Sequence, residues 1–226
     1  MRDDAQFIKD VIQWDVKNWS KALPFWEKHV KDFENKKAMT FGEREGGLSL
    51  WLASKNVEVV CTDYNEFPEE TADLHRRYSV DDKITYEKQD ITQINAPDNS
   101  YDFVMFKSVI GALASDERQQ QAIDEIYRIL KPGGYLLLAE NMEGTLFHKW
   151  MRKKFTSWSG YWHYPKFKNS PKLYRNFSKS SFRSHGFFAV FGRSEKQRKA
   201  IGSVDKLVSP ITPKGWRYIL FGVCQK

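Results

Sequence analysis

Apolar residues follow helical spacing in the first 35 positions of the chain. One predicted face contains Phe7, Ile8, Val11, Ile12 and Trp14, and the next contains Leu23, Trp26, Val30 and Phe33. Residues three or four positions apart share one side of a helix, so both sets indicate helices with one buried face. Pro24 marks a helix start. We therefore predict a helical cap over residues 1–35.

From residue 36 onward the pattern alternates between strands and helices. Strands are predicted at 37–41, 57–62, 84–88, 101–106 and 135–139, and helices at 47–55, 68–78 and 119–130. Alternation of this kind implies βαβ crossovers, a parallel sheet and ligand binding at the carboxyl ends of the strands. The predicted fold is therefore α/β and doubly wound.

Beyond residue 141 the pattern is weaker. Two apolar runs, 186–191 and 216–224, are predicted to pair as an antiparallel edge, and no clear helix lies between them. A length of 226 residues favours a single domain. We divide it into the cap (1–35), a cofactor-binding core (36–141) and a substrate-side insert with the C-terminal strands (142–226).

Charge is distributed unevenly along the chain. The formal net charge is +7, and between residues 149 and 199 the only acid among many Lys and Arg residues is Glu195. A basic face attracts anions such as phosphorylated sugars, lipid headgroups or nucleic acid. The C-terminal third is thus predicted to meet an anionic partner, and contact with a membrane surface would suit a lipid-linked glycan.

The termini and cysteines bear on location and metal content. The chain starts with polar and acidic residues, and no apolar run approaches the roughly 20 residues that cross a bilayer. Cys61 and Cys224 lie inside strand-like apolar runs, so we predict reduced, structural cysteines that build no Cys-rich zinc site. A cytoplasmic protein without a bound metal is expected.

The most informative segment is a glycine-bearing turn between the first predicted strand and its helix. It contains Gly42 and Gly46, and such a turn brings backbone N–H groups close to a ligand. Asp63 follows at the end of the next strand, about 20 residues later, which is the spacing of an acid that binds ribose hydroxyls. Asp90 closes the third strand, where a carboxylate can accept a bond from an adenine amino group. An adenosine cofactor is therefore predicted.

The order of these motifs resembles the class I methyltransferases that depend on S-adenosylmethionine (SAM). The resemblance covers residues 36–141, and its motifs are the glycine segment 40–47, Asp63, Asp90, Tyr101-Asp102-Phe103-Val104 and Leu130-Lys131-Pro132-Gly133-Gly134. It implies SAM as cofactor and a seven-stranded, mostly parallel sheet with an antiparallel last strand. The cofactor-binding residues that it implies are Thr40, Gly42, Arg44, Gly46, Asp63, Tyr64, Asp90, Ile91, Lys107 and Ser108.

A narrower resemblance concerns a bacterial subgroup associated with surface polysaccharide synthesis. The motifs that carry it are Gly46-Gly47-Leu48-Ser49-Leu50-Trp51-Leu52-Ala53, Phe106-Lys107-Ser108, Ala139-Glu140-Asn141 and Trp14-Asp15 with Asn18-Trp19. This subgroup implies a glycan acceptor.

Two residues depart from the family pattern. Thr40 stands where the family usually has an acid that binds the cofactor's amino group, and Arg44 stands where it has a second glycine. Arg44 either turns outward or binds a carboxylate of cofactor or substrate. The nicotinamide fingerprint also requires glycine at position 44, which argues against a dehydrogenase.

Candidates for the acceptor side follow the fifth strand. His148 is the first candidate for a general base, with Arg152 on the same helix face at i, i+4, and His163 is the second. Glu140 and Asn141 lie at the cleft mouth. The aromatic cluster Trp158, Tyr161, Trp162, His163 and Tyr164 suits stacking on a sugar or base, or a packed lid. Asp15 and Trp19 are predicted to close over the site from the N-terminal cap.

Three functions remain open at this point. The first is O-methylation of a glycan or a small, anionic, hydroxylated metabolite. The second is RNA methylation, because Lys and Arg interleaved with aromatic residues also suit nucleic acid. The third is a non-catalytic protein that binds SAM or a nucleotide. The departures from the family pattern at Thr40 and Arg44 are the reason to consider it.

Overall fold

A mixed sheet forms the centre of the protein in a computed structural model that describes residues 4–155, 161–192 and 194–226. Its strands are Lys37–Phe41 (β1), Glu58–Asp63 (β2), Ile84–Lys88 (β3), Tyr101–Lys107 (β4), Leu130–Asn141 (β5), Lys179–His185 (β6) and Ile219–Gln225 (β7). Among the described residues the seven strands lie in the order β3-β2-β1-β4-β5-β7-β6, and β7 runs antiparallel to both neighbours. The predicted doubly wound, mostly parallel fold is confirmed.

Helices cover both faces of this sheet. The described α-helices are Asp4–Ile12 (α1), Val16–Trp19 (α2), Ala22–His29 (α3), Gly47–Ala53 (α4), Glu69–Arg77 (α5), Asp116–Ile129 (α6), Leu146–Phe155 (α7), Ser170–Leu173 (α8) and Glu195–Val208 (α9). Two separate clusters of buried apolar side chains, one on each face, hold the helices to the strands. Because β1 to β5 run parallel to one another, their carboxyl ends share one edge of the sheet.

Helix α6 shows how local sequence sets an element. Ser115 is its N-cap and accepts a hydrogen bond from the Arg118 N–H, so the helix starts three residues before the predicted position. Ala122, Ile123, Ile126 and Ile129 are buried against the sheet, as their spacing predicts.

The N-terminal residues form the predicted helical cap. Val11 and Ile12 of α1 are buried in the same cluster as the apolar side chains of α4. Trp26 of α3 is fully buried, and its indole Nε1 donates to the Gly222 carbonyl at 3.2 Å. The cap thus packs on the glycine-turn helix and on strand β7.

The C-terminal prediction is partly wrong. Residues 186–191 form no strand; β6 ends at His185, and Ala189–Phe191 is a short 3₁₀ helix. The strand was missed because β6 is an edge strand, with polar side chains and little burial. Helix α9, also missed, begins at a Ser194 N-cap.

Both cysteines are buried and unpaired with each other. Burial raises the pKa of both the Cys61 and Cys224 thiols, so both stay protonated. This agrees with their predicted structural role. Among the described residues, no helix combines the length and apolar character that would cross a bilayer.

Candidate active site

The glycine turn follows β1 and leads into α4. Gly42 and Gly46 both have positive φ, at 69° and 70°. A Cβ atom at Gly42 would lie 2.4 Å from a Val109 methyl, and one at Gly46 would lie 2.6 Å from the His75 ring. Neither position accepts a side chain without strain, because Val109 and His75 fill the adjacent space and the backbone is left-handed, so the tight turn requires both glycines.

Arg44 and Glu43 lie on opposite sides of this turn. Arg44 is exposed and turned outward, which is one of the two outcomes considered for it. Glu43 is buried, and its carboxylate accepts hydrogen bonds from the N–H groups of Leu48 and Ser49 at 2.9 and 3.0 Å. It therefore caps α4 from inside the turn. Sequence reasoning missed Glu43; an acid just ahead of a predicted helix was the available signal.

Thr40 is used within the fold. Its side chain is fully buried, and its hydroxyl lies 2.7 Å from the Ser49 hydroxyl of α4. Its carbonyl accepts from the Thr62 hydroxyl of β2. The Thr40 hydroxyl thus joins β1 to α4.

The two predicted adenosine acids lie at adjacent strand ends. Asp63 ends β2 and is nearly buried; both hydrogen bonds that described residues donate to its carboxylate come from Asn65 and end on Oδ1. Asp90 follows β3, and its Oδ1 accepts from the Thr92 N–H and hydroxyl. Tyr64 is 66% exposed, whereas the Ile91 side chain is buried in the apolar core. Only the backbone of Ile91 is thus placed to meet a ligand.

Lys107 connects the end of β4 with the N-terminal cap. Its ammonium donates to the Ile12 carbonyl and lies 5.4 Å from the centre of the Trp14 ring. Burial lowers the pKa of Lys107, and Glu43 opposes that shift. The next residue, Ser108, has a φ of 59° and accepts a hydrogen bond from the Asn141 amide at 2.7 Å. The ends of β4 and β5 are thereby joined.

A cavity of about 1150 Å³ opens beside Ser108 and Asn141; we call it the Tyr218 cavity. The residues that line it are Trp14, Asp15, Ser108, Asn141, Met151, Arg152, Lys154, Phe155, Trp162, Tyr164, Val190, Phe191, Gly192, Arg198 and Tyr218. It brings together four of the five predicted acceptor residues, Asp15, Asn141, Arg152 and Trp162. They come from four separate parts of the chain.

Arg152 and Trp162 form one wall of the Tyr218 cavity. Arg152 Nη1 donates to the carbonyls of Met142 and Glu143, and its guanidinium carbon lies 4.0 Å above the Tyr164 ring. The Trp162 indole packs on Gly111 so closely that a Cβ there would lie 1.8 Å from its nitrogen. A second cavity of about 1560 Å³, the Tyr174 cavity, adjoins this wall and shares Arg152, Trp162 and Tyr164 with it.

The structure gives His148 no access to either cavity. Its ring is fully buried, with Nδ1 bonded to Thr145 and Nε2 to the Phe187 carbonyl. Burial lowers its pKa, so the imidazole stays neutral. It stacks on Phe191 and thereby joins α7 to the segment after β6. The geometry therefore corrects its predicted role from base to packing residue.

Trp19 is also a core residue rather than a ligand contact. Its ring is fully buried and lies 4.6 Å from that of Trp14. His163 lines the Tyr174 cavity, is half exposed and bonds Asp116 at 2.7 Å. Trp158 lies outside the described residues.

Glu140 organises the loop after β4. It is buried, and its carboxylate accepts from the N–H groups of Val109, Ile110 and Asn141 at 2.8–2.9 Å. Burial raises its pKa to about 7. Since three backbone groups occupy the carboxylate, Glu140 serves to position this loop and Asn141.

Glu140→Gln is expected to cost about 1–3 kcal/mol of unfolding free energy at pH 5, because one backbone N–H loses its acceptor. The folded protein binds the Glu140 proton more tightly than the unfolded chain, whose pKa is near 4.5. Wild type thus loses stability from this group as pH rises from about 4.5 to 7, and glutamine does not titrate. Urea unfolding should show that the difference in unfolding free energy between wild type and Glu140→Gln is smaller at pH 8 than at pH 5.

The exposed Glu58 provides the control, since Glu58→Gln removes an acid from the start of β2 without breaking a buried contact. Its unfolding free energy should follow that of wild type at both pH values. An equal deficit of Glu140→Gln at pH 5 and pH 8 would contradict the raised pKa.

Comparisons with known proteins agree with this architecture. Residues 39–138 match a protein-family model described as a methyltransferase domain. A demethylmenaquinone methyltransferase from Clavibacter sepedonicus is 30% identical over 95 residues, which are 42% of this chain and 37% of that protein. The match therefore spans little more than a third of that relative's length.

Solved structures share the fold across nearly the whole chain. Phosphoethanolamine N-methyltransferase 2 from Haemonchus contortus, solved with phosphomonomethylethanolamine and S-adenosylhomocysteine, has a TM-score of 0.64 at 16% identity and covers 92% of this chain and 52% of its own. A SAM-dependent methyltransferase from Thermotoga maritima has the same score and identity and covers 98% and 97%. The domain match thus supports a methyltransferase domain over residues 39–138, and the solved structures show that the chain has the fold of SAM-dependent methyltransferases.

Proposed function

We propose that this protein transfers the methyl group of SAM to a hydroxyl of a glycan or a small anionic metabolite. One observation carries the proposal: the glycine turn and Asp63, at the ends of β1 and β2, share a sheet edge with Ser108 and Asn141, which open into the Tyr218 cavity. This arrangement supports a cofactor site and an acceptor cavity at the same edge of the sheet.

The residues around the turn suit SAM. The left-handed backbone at Gly42 and Gly46 makes a tight turn between a strand and a helix, the kind of turn at which a ligand can approach backbone N–H groups. Asp63 would hold the ribose hydroxyls, and Asp90 the adenine amino group. Lys107 and Ser108 would lie beside the amino acid part of the cofactor. When bound, SAM supplies a methyl carbon made electrophilic by its sulfonium.

The Tyr218 cavity suits an anionic acceptor that carries a ring. The cations that line it among the described residues are Arg152, Lys154 and Arg198, and its aromatic walls include Trp14 and Trp162. Aromatic faces stack on sugar or phenolic rings, and the cations attract phosphate or carboxylate. The resemblance to the polysaccharide subgroup supports a sugar acceptor.

These residues promote reaction by holding the acceptor. The sheet edge fixes Ser108 and Asn141 relative to each other, and Arg152 is held by two backbone carbonyls. A rigid wall of this kind reduces the motions that an acceptor must lose on reaching an in-line geometry, which contributes much of the rate of a displacement.

Calorimetric titration of the purified protein with SAM, S-adenosylhomocysteine and NAD tests the cofactor. We expect micromolar binding of the first two and none of NAD. Radiolabelled methyl transfer to sugar phosphates, nucleotide sugars, phenolic acids and RNA then tests the acceptor, with sugar phosphates labelled first. Methylation of RNA alone would favour the RNA alternative, and absent SAM binding would favour a non-catalytic protein.

A further inference from the structure

A buried carboxylate from the N-terminal cap faces the acceptor side of the site. Asp15, the N-cap residue of α2, is only 1% exposed yet lines the Tyr218 cavity. Its Oδ1 accepts from the Asn18 amide at 3.0 Å, and its Oδ2 accepts from the Tyr218 hydroxyl. A carboxylate has about four acceptor positions, so two donors leave capacity for a hydroxyl in the cavity.

The backbone of Asp15 is fixed by the opposite end of the chain. Its φ is 45°, in the left-handed region that few non-glycine residues adopt. Glu195 of α9 accepts from the Asp15 N–H at 2.6 Å and from the Val16 N–H at 3.3 Å. Glu195 thus holds the backbone at this residue, while the hydrogen bonds from Asn18 and Tyr218 hold its carboxylate.

Asp15 has no carboxylate competitor in this cavity. Among the described residues that line it, Asp15 is the only Asp or Glu, and Ser108 and Asn141 contribute the strand-end polar groups. His148, the base expected from sequence, lines neither cavity. The geometry therefore leaves Asp15 as the group placed to accept a proton from a bound acceptor.

Burial and two hydrogen bonds together set the protonation of this carboxylate. Burial raises the pKa of Asp15 to about 6, and the hydrogen bonds from Tyr218 and Asn18 oppose the shift. It is then ionised at pH 7 and more basic than an ordinary Asp, as a general base requires. The other charged or titratable groups near it are Glu195 and Arg198 of α9, Arg152 and Lys154 of α7 in the same cavity, His185 of β6, which bonds Asn18, and Lys21, Asp205 and Lys107.

We propose that Asp15 is the general base of this enzyme, positioned by Tyr218 and Asn18; this inference rests on the proposed function. The acceptor oxygen forms its bond to the methyl carbon as the carbon–sulfur bond breaks. The electron pair of that bond stays on sulfur, and the acceptor proton passes to an Asp15 oxygen. The proton then leaves to water through the cavity once the methyl ether has left.

The test compares Asp15→Asn, Tyr218→Phe and wild type on the best hydroxyl acceptor of the labelled panel. We expect Asp15→Asn to lower turnover at least about 100-fold while the dissociation constant of S-adenosylhomocysteine stays within about twofold. Asp102→Asn is the control: the Asp102 carboxylate bonds Lys131 and the Lys37 N–H at the start of β4, and it lines neither cavity. Its folded fraction should keep wild-type turnover.

The pH profile adds a readout that a structural role would not move. Wild-type turnover should fall as pH drops through about 6. Tyr218→Phe removes a donor that favours the ionised carboxylate, so this acid limb should move to higher pH. Carbon-13 NMR of labelled aspartate in the substrate-free protein should show that Tyr218→Phe raises the pKa of Asp15. This measurement does not require that Asp15→Asn folds.

Three results would overturn the inference: turnover of Asp15→Asn within threefold of wild type, an acid limb that Tyr218→Phe leaves in place, or methylation of amines alone. Wild-type protein that binds no S-adenosylhomocysteine would instead contradict the proposed function itself. The two failures are therefore distinguishable by the binding titration.

Discussion

Asp63→Ala is expected to raise the dissociation constant of S-adenosylhomocysteine by about tenfold or more. Asp63 ends β2 beside the glycine turn, and the bonds that it accepts from Asn65 end on one oxygen. The other oxygen is then placed to accept from a ribose hydroxyl, and a hydrogen bond to a charged group is worth about 1.5–3 kcal/mol. Calorimetry at constant ionic strength measures the change.

Two variants define what that result means. Asp63→Asn keeps the size of the side chain and one acceptor, so its affinity should lie between those of wild type and Asp63→Ala. Asp82→Ala removes an exposed acid from the turn before β3 and should bind like wild type. An Asp63→Ala protein that remains folded and binds S-adenosylhomocysteine within twofold of wild type would remove Asp63 from the cofactor site.

The core of the fold was predictable because its strands have two buried faces. β1, β2 and β4 are rich in apolar residues and almost wholly buried, and each is followed by a turn or a short 3₁₀ helix. β6 was not predictable in this way. It is a polar edge strand that pairs only with β7, so its backbone pairing leaves little trace in the side chains.

The run 186–191 was mistaken for a strand because apolar side chains alone do not fix the backbone. Gly186 has a φ of 76°, and a Cβ there would lie 2.3 Å from the Tyr218 ring. The chain therefore turns at this residue, and its apolar side chains pack on His148 instead of extending the sheet. Helix α9 was missed because its buried side includes Gly202 and Asp205, which do not read as apolar.

For the candidate site, the sequence predicted residues at the strand ends, and the structure brings Asp15, Asn141, Arg152 and Trp162 together in one cavity. Spacing after each strand identified Gly42, Gly46 and Asp63, since strand ends are fixed by local pattern. Tyr218 escaped notice because its partner Asp15 lies about 200 positions away. His148 attracted attention as a histidine after β5, yet only the packing of α7 reveals that its ring points into the interior.

Gly47→Ala is expected to lower the free energy of unfolding by about 1–3 kcal/mol through displacement of the N-terminal cap. A Cβ at this first residue of α4 would lie 2.2 Å from the Val11 carbonyl oxygen and 2.9 Å from the Gln13 amide nitrogen. Because the new methyl group would collide with a backbone atom of Val11 and not with a flexible side chain, the end of α1 has to shift. Urea unfolding, and faster hydrogen exchange of the α1 amides, would measure the loss.

The backbone conformation of Gly47 and a matched control variant make this a specific test of the cap. Gly47 is helical and has no positive φ, so alanine suits its backbone and by itself would favour α4 by up to about 1 kcal/mol. Gly215→Ala is the matched control, because a Cβ there meets no atom within 4 Å. If Gly47→Ala is as stable as wild type or more stable, the cap can move away from α4 without loss of unfolding free energy. A loss confined to Gly47→Ala would mean that contact with the glycine-turn helix holds the segment that carries Asp15 in place.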